Sequence, residues 1–162
     1  GRSSMGLRRS ATWGQILGLR QRPIRSGISG ILVGLIIAAP ALWRIMINGP
    51  DFQPLMQPAT WLNGIIGSPI AEELLFRGVV ARVLINRLGR FQGILFSSIL
   101  FATFHLPVWL LLEEREVSAI FMDLGILTIY GALFAGLFHA HKNICSPIAA
   151  HITNNLLVTA MG

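Results

Sequence analysis

The sequence predicts an all-α protein: a multi-pass transmembrane bundle of about five helical segments with an active site inside it. Three observations predict this. Hydrophobic residues fill 53% of the 162 positions and charged residues only 12%, against about 25% charged in an average soluble domain. The mean hydropathy is +0.64. The apolar residues gather into runs near the length needed to cross a bilayer core, and the short segments between them alternate between basic and acidic. So few charges cannot cover so much apolar surface in a short soluble fold, and the chain reads as an integral membrane protein.

Residues 1–23 form a basic N-terminal segment, cytoplasmic or interfacial, in which "ATWGQILGL" reads as a short interfacial helix with Trp13 at headgroup depth. It is not expected to act as a cleavable signal, because the apolar run after it is too long for one. Residues 24–162 form the helical core. The first run, residues 24–47, is long enough to span, and Gly30 and Gly34, four apart, let a neighbouring helix come close. "NGPDFQPLMQP" is a Pro- and Gly-rich loop. Residues 59–88 read as helix, with Pro69 at a start or kink. Residues 91–112 form the next span, bent at Pro107, and "EERE" then marks an aqueous turn. Residues 117–139 form a further span and residues 146–160 a shorter last segment.

Loop charge sets the orientation. Arg8, Arg9, Arg20, Arg22 and Arg25 place the N-terminus in the cytoplasm, and the alternation then puts Arg82, Arg87, Arg90 and Lys142 inside as well. Asp51 and "EERE" mark the opposite side, and Arg44 is the exception, near enough to a helix end to snorkel. A bacterial inner membrane is the expected location. The net charge of +6 does not indicate nucleic-acid binding, because the basic residues sit at the ends of apolar runs and form no patch. Cys145 is the single cysteine, which excludes an internal disulfide and a CxxC zinc pattern.

Against this background the stretch "SPIAEELLFRGVVARVL" is anomalous. An ionisable side chain at membrane depth costs at least about 2.5 kcal/mol, so such residues face the bundle interior and pair. Glu73 and Arg77 are four apart and share a helix face. Glu72 is five back from Arg77 and points about 140° away. The arginine thus neutralises one glutamate and leaves the other free, as a general base requires. Phe101 and His105 are four apart on one later helix, and His151 and Asn155 on another. Three helices can bring a carboxylate, two imidazoles and a carboxamide to one point.

Two chemistries fit these groups. Glu72 with His105 can deprotonate a water while His151 and Asn155 stabilise an oxyanion. Alternatively, Glu72, His105 and His151 can ligate a zinc that activates the water. HExxH and GxSxG are both absent.

The chain resembles the CAAX protease and bacteriocin-processing (CPBP, or Abi) family of intramembrane proteases. The family's EExxxR motif is matched by Glu72, Glu73 and Arg77, its FxxxH motif by Phe101 and His105, and its HxxxN motif by His151 and Asn155. The resemblance covers roughly residues 24–160. It implies that Glu72 and His105 activate water, that His151 and Asn155 stabilise the oxyanion, and that Glu73, Arg77 and Phe101 support the site. It implies an endopeptidase with a peptide or protein substrate, lipidated in the branch that processes prenylated CaaX proteins, or bacteriocin-like in others. It favours a metal-free mechanism and keeps zinc open. The competing readings are a non-catalytic immunity or scaffold protein of the same fold and a small transporter or proton channel that uses the buried carboxylates. Each motif also has a plainer reading: Glu73 and Arg77 as a structural bridge, His105 and His151 as satisfied core histidines, and Asn154 in place of Asn155 on the working face.

Overall fold

The computed structural model describes residue 14 and residues 17–19, 22–113 and 115–162; among these it is helical, with no strand. Most of the interfacial helix expected around Trp13, Trp13 included, lies outside the described residues, as do Arg8, Arg9 and Arg20.

The first apolar run is two helices, α1 (Pro23–Ile37) and α2 (Ala39–Asn48), bent by 63° at their junction. Pro40, in the first turn of α2, explains the break: it has no N–H to donate and its ring crowds the carbonyl of Ile36. A 3₁₀ turn, Pro54–Met56, leads into the segment that carries the glutamates. That segment is almost continuously helical: a π-turn Thr60–Ile65, α3 (Gly67–Leu75), a second π-turn Phe76–Ala81, and α4 (Arg82–Leu88). Pro69 falls in the first turn of α3, where a missing N–H is harmless.

The next run is α5 (Arg90–Thr103) and α6 (Leu106–Leu111). Pro107 sits in the first turn of α6, so the predicted bend is a break at Phe104–His105. Long α7 (Val117–His141) and the last helix, α8 (Cys145–Ala160), complete the chain.

Two stretches are long and apolar enough to cross a membrane, Arg90–Leu111 and Val117–His141, or three if the bent α1–α2 pair is one span. The sequence led us to expect about five. The difference has physical causes: π-turns and charges divide residues 60–88, and α8 has only 16 residues.

Packing centres on α8. Helix α1 runs along it, and the two glycines permit the approach: a Cβ on Gly30 would sit 2.1 Å from the Ser146 carbonyl oxygen, and one on Gly34 2.6 Å from Thr153 Cβ. Helix α5 lies against α7, and the segment α3–Phe76–Ala81 is wedged among α5, α7 and α8. Polarity is inverted relative to a water-soluble protein. Glu73, Arg77, Ser98, Asn143, Ser146, His151 and Asn154 are buried, while Ile36, Met46, Phe91 and Phe121 are exposed. Only 17% of the apolar window of α7 is buried. An apolar exterior of this extent is stable against lipid rather than water.

Candidate active site

The two adjacent glutamates have different surroundings. The Glu73 side chain is 0% exposed and that of Glu72 14%. Helix rotation separates them, so Glu73 faces the packed interior and Glu72 a cavity. Only Glu72 is placed to meet another molecule.

Glu73 is the hub of a buried ionic cluster. Its Oε2 is 3.0 Å from Arg77 Nε, one turn on, and its Oε1 is 3.0 Å from His151 Nδ1 on α8. Arg77 Nη2 donates to the Gly131 carbonyl at 3.2 Å. The guanidinium lies over Phe101, 4.4 Å from the ring centroid, and 5.3 Å from that of Phe134. Aromatic faces stabilise a cation that burial has stripped of water. A carboxylate can only accept, so His151 carries a proton on Nδ1. Phe134 stacks on the His151 ring at 5.0 Å, so that ring is fixed in plane as well as in tautomer.

Glu72 and His105 form a second, looser pair. His105 sits in the break between α5 and α6, and its Nδ1 is 3.0 Å from the Phe101 carbonyl oxygen. A carbonyl only accepts, so the proton is on Nδ1 and Nε2 presents a lone pair. That Nε2 lies 3.9 Å from Glu72 Oε2, too far for a direct hydrogen bond. Glu72 Oε2 is buried with no hydrogen-bond partner among the described residues, while Oε1 accepts from Ser68 Oγ.

Glu72, His105, His151, Asn155 and Phe101 all line one cavity of about 510 Å³. The Asn155 carboxamide is oriented at both ends: Nδ2 donates to the Gly64 carbonyl at 2.9 Å, and Oδ1 accepts from Asn154 Nδ2 at 3.3 Å. Asn154 is buried beside it and does not line the cavity. Glu73 and Arg77 lie behind the wall. Glu72, His105 and His151, the set that would hold a zinc, form no metal-binding group; among the described residues no three His, Cys, Asp or Glu side chains do.

The sequence reading missed several contributors. It assigned no role to Ser68, although the hydroxyl is one turn before Glu72. The Glu73–His151 contact joins positions 78 apart, which spacing cannot reveal. The "EERE" turn also reaches the site: Arg115 lines the cavity, donates from Nε to Glu113 at 2.5 Å and pairs with Asp123. The hydrogen bond from Glu113 is the largest cause pushing the Arg115 pKa up, and that from Asp123 adds to it.

Comparison with known proteins supplies one match. The family described as "Type II CAAX prenyl endopeptidase Rce1-like" matches residues 54–157, which contain every candidate site residue named above. No curated protein and no solved structure matches the chain. The match covers well over half of the sequence, and together with the apolar helices it makes the protein an integral membrane protein: the chain belongs to the Rce1-like family of type II CAAX prenyl endopeptidases, a family of peptidases.

Proposed function

We propose that this chain is an intramembrane endopeptidase that cuts the C-terminal peptide from prenylated CaaX-type proteins, using a water activated by Glu72 and His105 without a metal. One observation carries the reading: Glu72 Oε2 and His105 Nε2, both acceptors, are 3.9 Å apart on the wall of the cavity that His151 and Asn155 also line. The family supplies the substrate class.

The chemistry follows from the atoms. A water between Glu72 and His105 directs one hydrogen at Oε2 and the other at Nε2, which turns its lone pair toward a substrate carbonyl. Glu72 takes a proton as the new C–O bond forms and the carbonyl electrons move to oxygen. The oxyanion accepts hydrogen bonds from the remaining Nδ2 hydrogen of Asn155 and from His151 Nε2 when that ring holds both protons. Glu73 stabilises such an imidazolium from the opposite nitrogen. The intermediate then collapses, the C–N bond breaks, and Glu72 returns its proton to the leaving amine. Phe101 holds His105 through its backbone carbonyl and Arg77 through its ring. The loop charges support an orientation with the N-terminus in the cytoplasm, and a bacterial inner membrane is the location we propose.

The test is cleavage of prenylated and unprenylated CaaX peptides by purified protein in detergent, read by mass spectrometry. Wild type is expected to release the C-terminal peptide from the prenylated form, and Glu72→Gln to release none. Equal cleavage by both proteins would sink the assignment of the base. Cleavage of plain peptides at the same rate would remove the lipid from the substrate class.

A further inference from the structure

The side chain that positions the proposed base is unassigned by any of the three motifs. We propose that Ser68 is a positioning residue: its hydroxyl ties down one oxygen of Glu72 and so keeps the other at water-bridging distance from His105. This inference rests on the reading of Glu72 given above.

Ser68 differs from four other hydroxyls of the bundle. Ser97, Ser98, Thr103 and Thr128 each donate to a backbone carbonyl three or four residues earlier in their own helix. This is the ordinary fate of a hydroxyl in an apolar helix. The carbonyls three and four residues before Ser68 are those of Ile65 and Gly64, and the second accepts from Asn155 Nδ2 at 2.9 Å. The Ser68 hydroxyl is not spent on capping either, since α3 begins without a side-chain cap. It is directed at Glu72 Oε1, one turn on, and Ser68 lines the cavity beside Glu72.

The consequence lies in the second oxygen. A buried carboxylate oxygen without a partner is unfavourable, and Glu72 Oε2 is in that state. Oε2 and His105 Nε2 are both acceptors, so no bond between them fixes the 3.9 Å separation. Free to rotate, Glu72 would swing Oε2 away from the place where one water can touch both. The charge-assisted bond from Ser68 to Oε1 opposes this rotation.

The experiment uses the full chain in detergent with a prenylated CaaX peptide as probe. For Ser68→Ala we expect kcat to fall roughly tenfold to a hundredfold with KM nearly unchanged, as when a bond orienting a charged group is lost. Ser68→Thr, which retains the hydroxyl, should recover most of the rate. A second readout needs no turnover. The infrared difference between wild type and Glu72→Gln isolates the Glu72 carboxyl band; the same difference taken in a Ser68→Ala background should place that band elsewhere, and in Ser68→Thr should restore it. An unmoved band would overturn the proposal. So would wild-type kcat in Ser68→Ala while Glu72→Gln is inactive, an outcome that leaves the peptidase mechanism standing. Full activity in Glu72→Gln would instead remove the mechanism itself, and with it the role given to Ser68.

Discussion

Glu73 Oε1 and His151 Nδ1 are 3.0 Å apart, joining the second glutamate of the EE pair to the last helix of the bundle. The same carboxylate holds Arg77, so one buried anion serves two cationic partners whenever His151 is protonated. Glu73→Gln leaves Arg77 without its counter-charge, and breaking a buried pair costs about 3–5 kcal/mol. The variant is expected to unfold at a clearly lower temperature in detergent and to lose activity. The double variant Glu73→Gln, Arg77→Met should regain much of the thermal stability, because it removes both charges, and should stay inactive, because His151 has lost its anion. Recovery of activity in the double variant would show that Glu73 acts on stability alone.

Glu72 presents the opposite balance. Its Oε2 is buried and unpartnered, so the native carboxyl is held at some expense to stability. Glu72→Gln should match or exceed wild type in thermal unfolding while turnover falls by about 10²–10⁴-fold, the range for loss of a general base. A variant that loses stability and activity together would point to a structural glutamate.

Metal removal separates the two water-activation schemes. The donor geometry leads us to expect that o-phenanthroline or EDTA, applied through long dialysis, leaves the cleavage rate unchanged. Loss of activity restored by added zinc would replace the Glu72–His105 scheme with a metal-bound water.

The α1–α8 contact offers a test of position rather than chemistry. Gly30→Ala puts a methyl group 2.1 Å from the Ser146 carbonyl oxygen, so the helices must separate. Overpacking of this kind costs about 1–3 kcal/mol. Because α8 carries His151 and Asn155, activity should drop along with the melting temperature. Gly27→Ala is the control: a methyl there meets nothing within 4 Å, and stability should hold or rise slightly.

The comparison of sequence and structure divides along physical lines. What lies within one helical turn was legible. Glu73–Arg77 was visible as an i, i+4 pair, and the close approach at Gly30 and Gly34 followed from missing side chains. Pro107 announced the break at His105. Family membership rested on three short motifs in order, and the family match agrees. What depends on the third dimension was hidden. Glu73–His151 joins distant segments, and so does the hydrogen bond from Asn155 to the Gly64 carbonyl. Pro40 carried a signal for the α1–α2 bend, but the apolar run across it reads as one span. The π-turns at Thr60–Ile65 and Phe76–Ala81 carry no residue signature.

The local origin of the Glu73–Arg77 pair bears on how the protein is made. Both charges lie on one turn of a single nascent segment, so they can enter the bilayer already neutralised, before any partner helix is synthesised. His151 arrives much later, on the final helix. Biogenesis is therefore expected to split into an insertion step, in which Glu73 and Arg77 bring each other's counter-charge, and a docking step that completes the cluster. A chain stopped before Cys145 is expected to integrate into membranes as efficiently as the whole chain, measured by resistance to carbonate extraction, and to be degraded faster for want of its last helix.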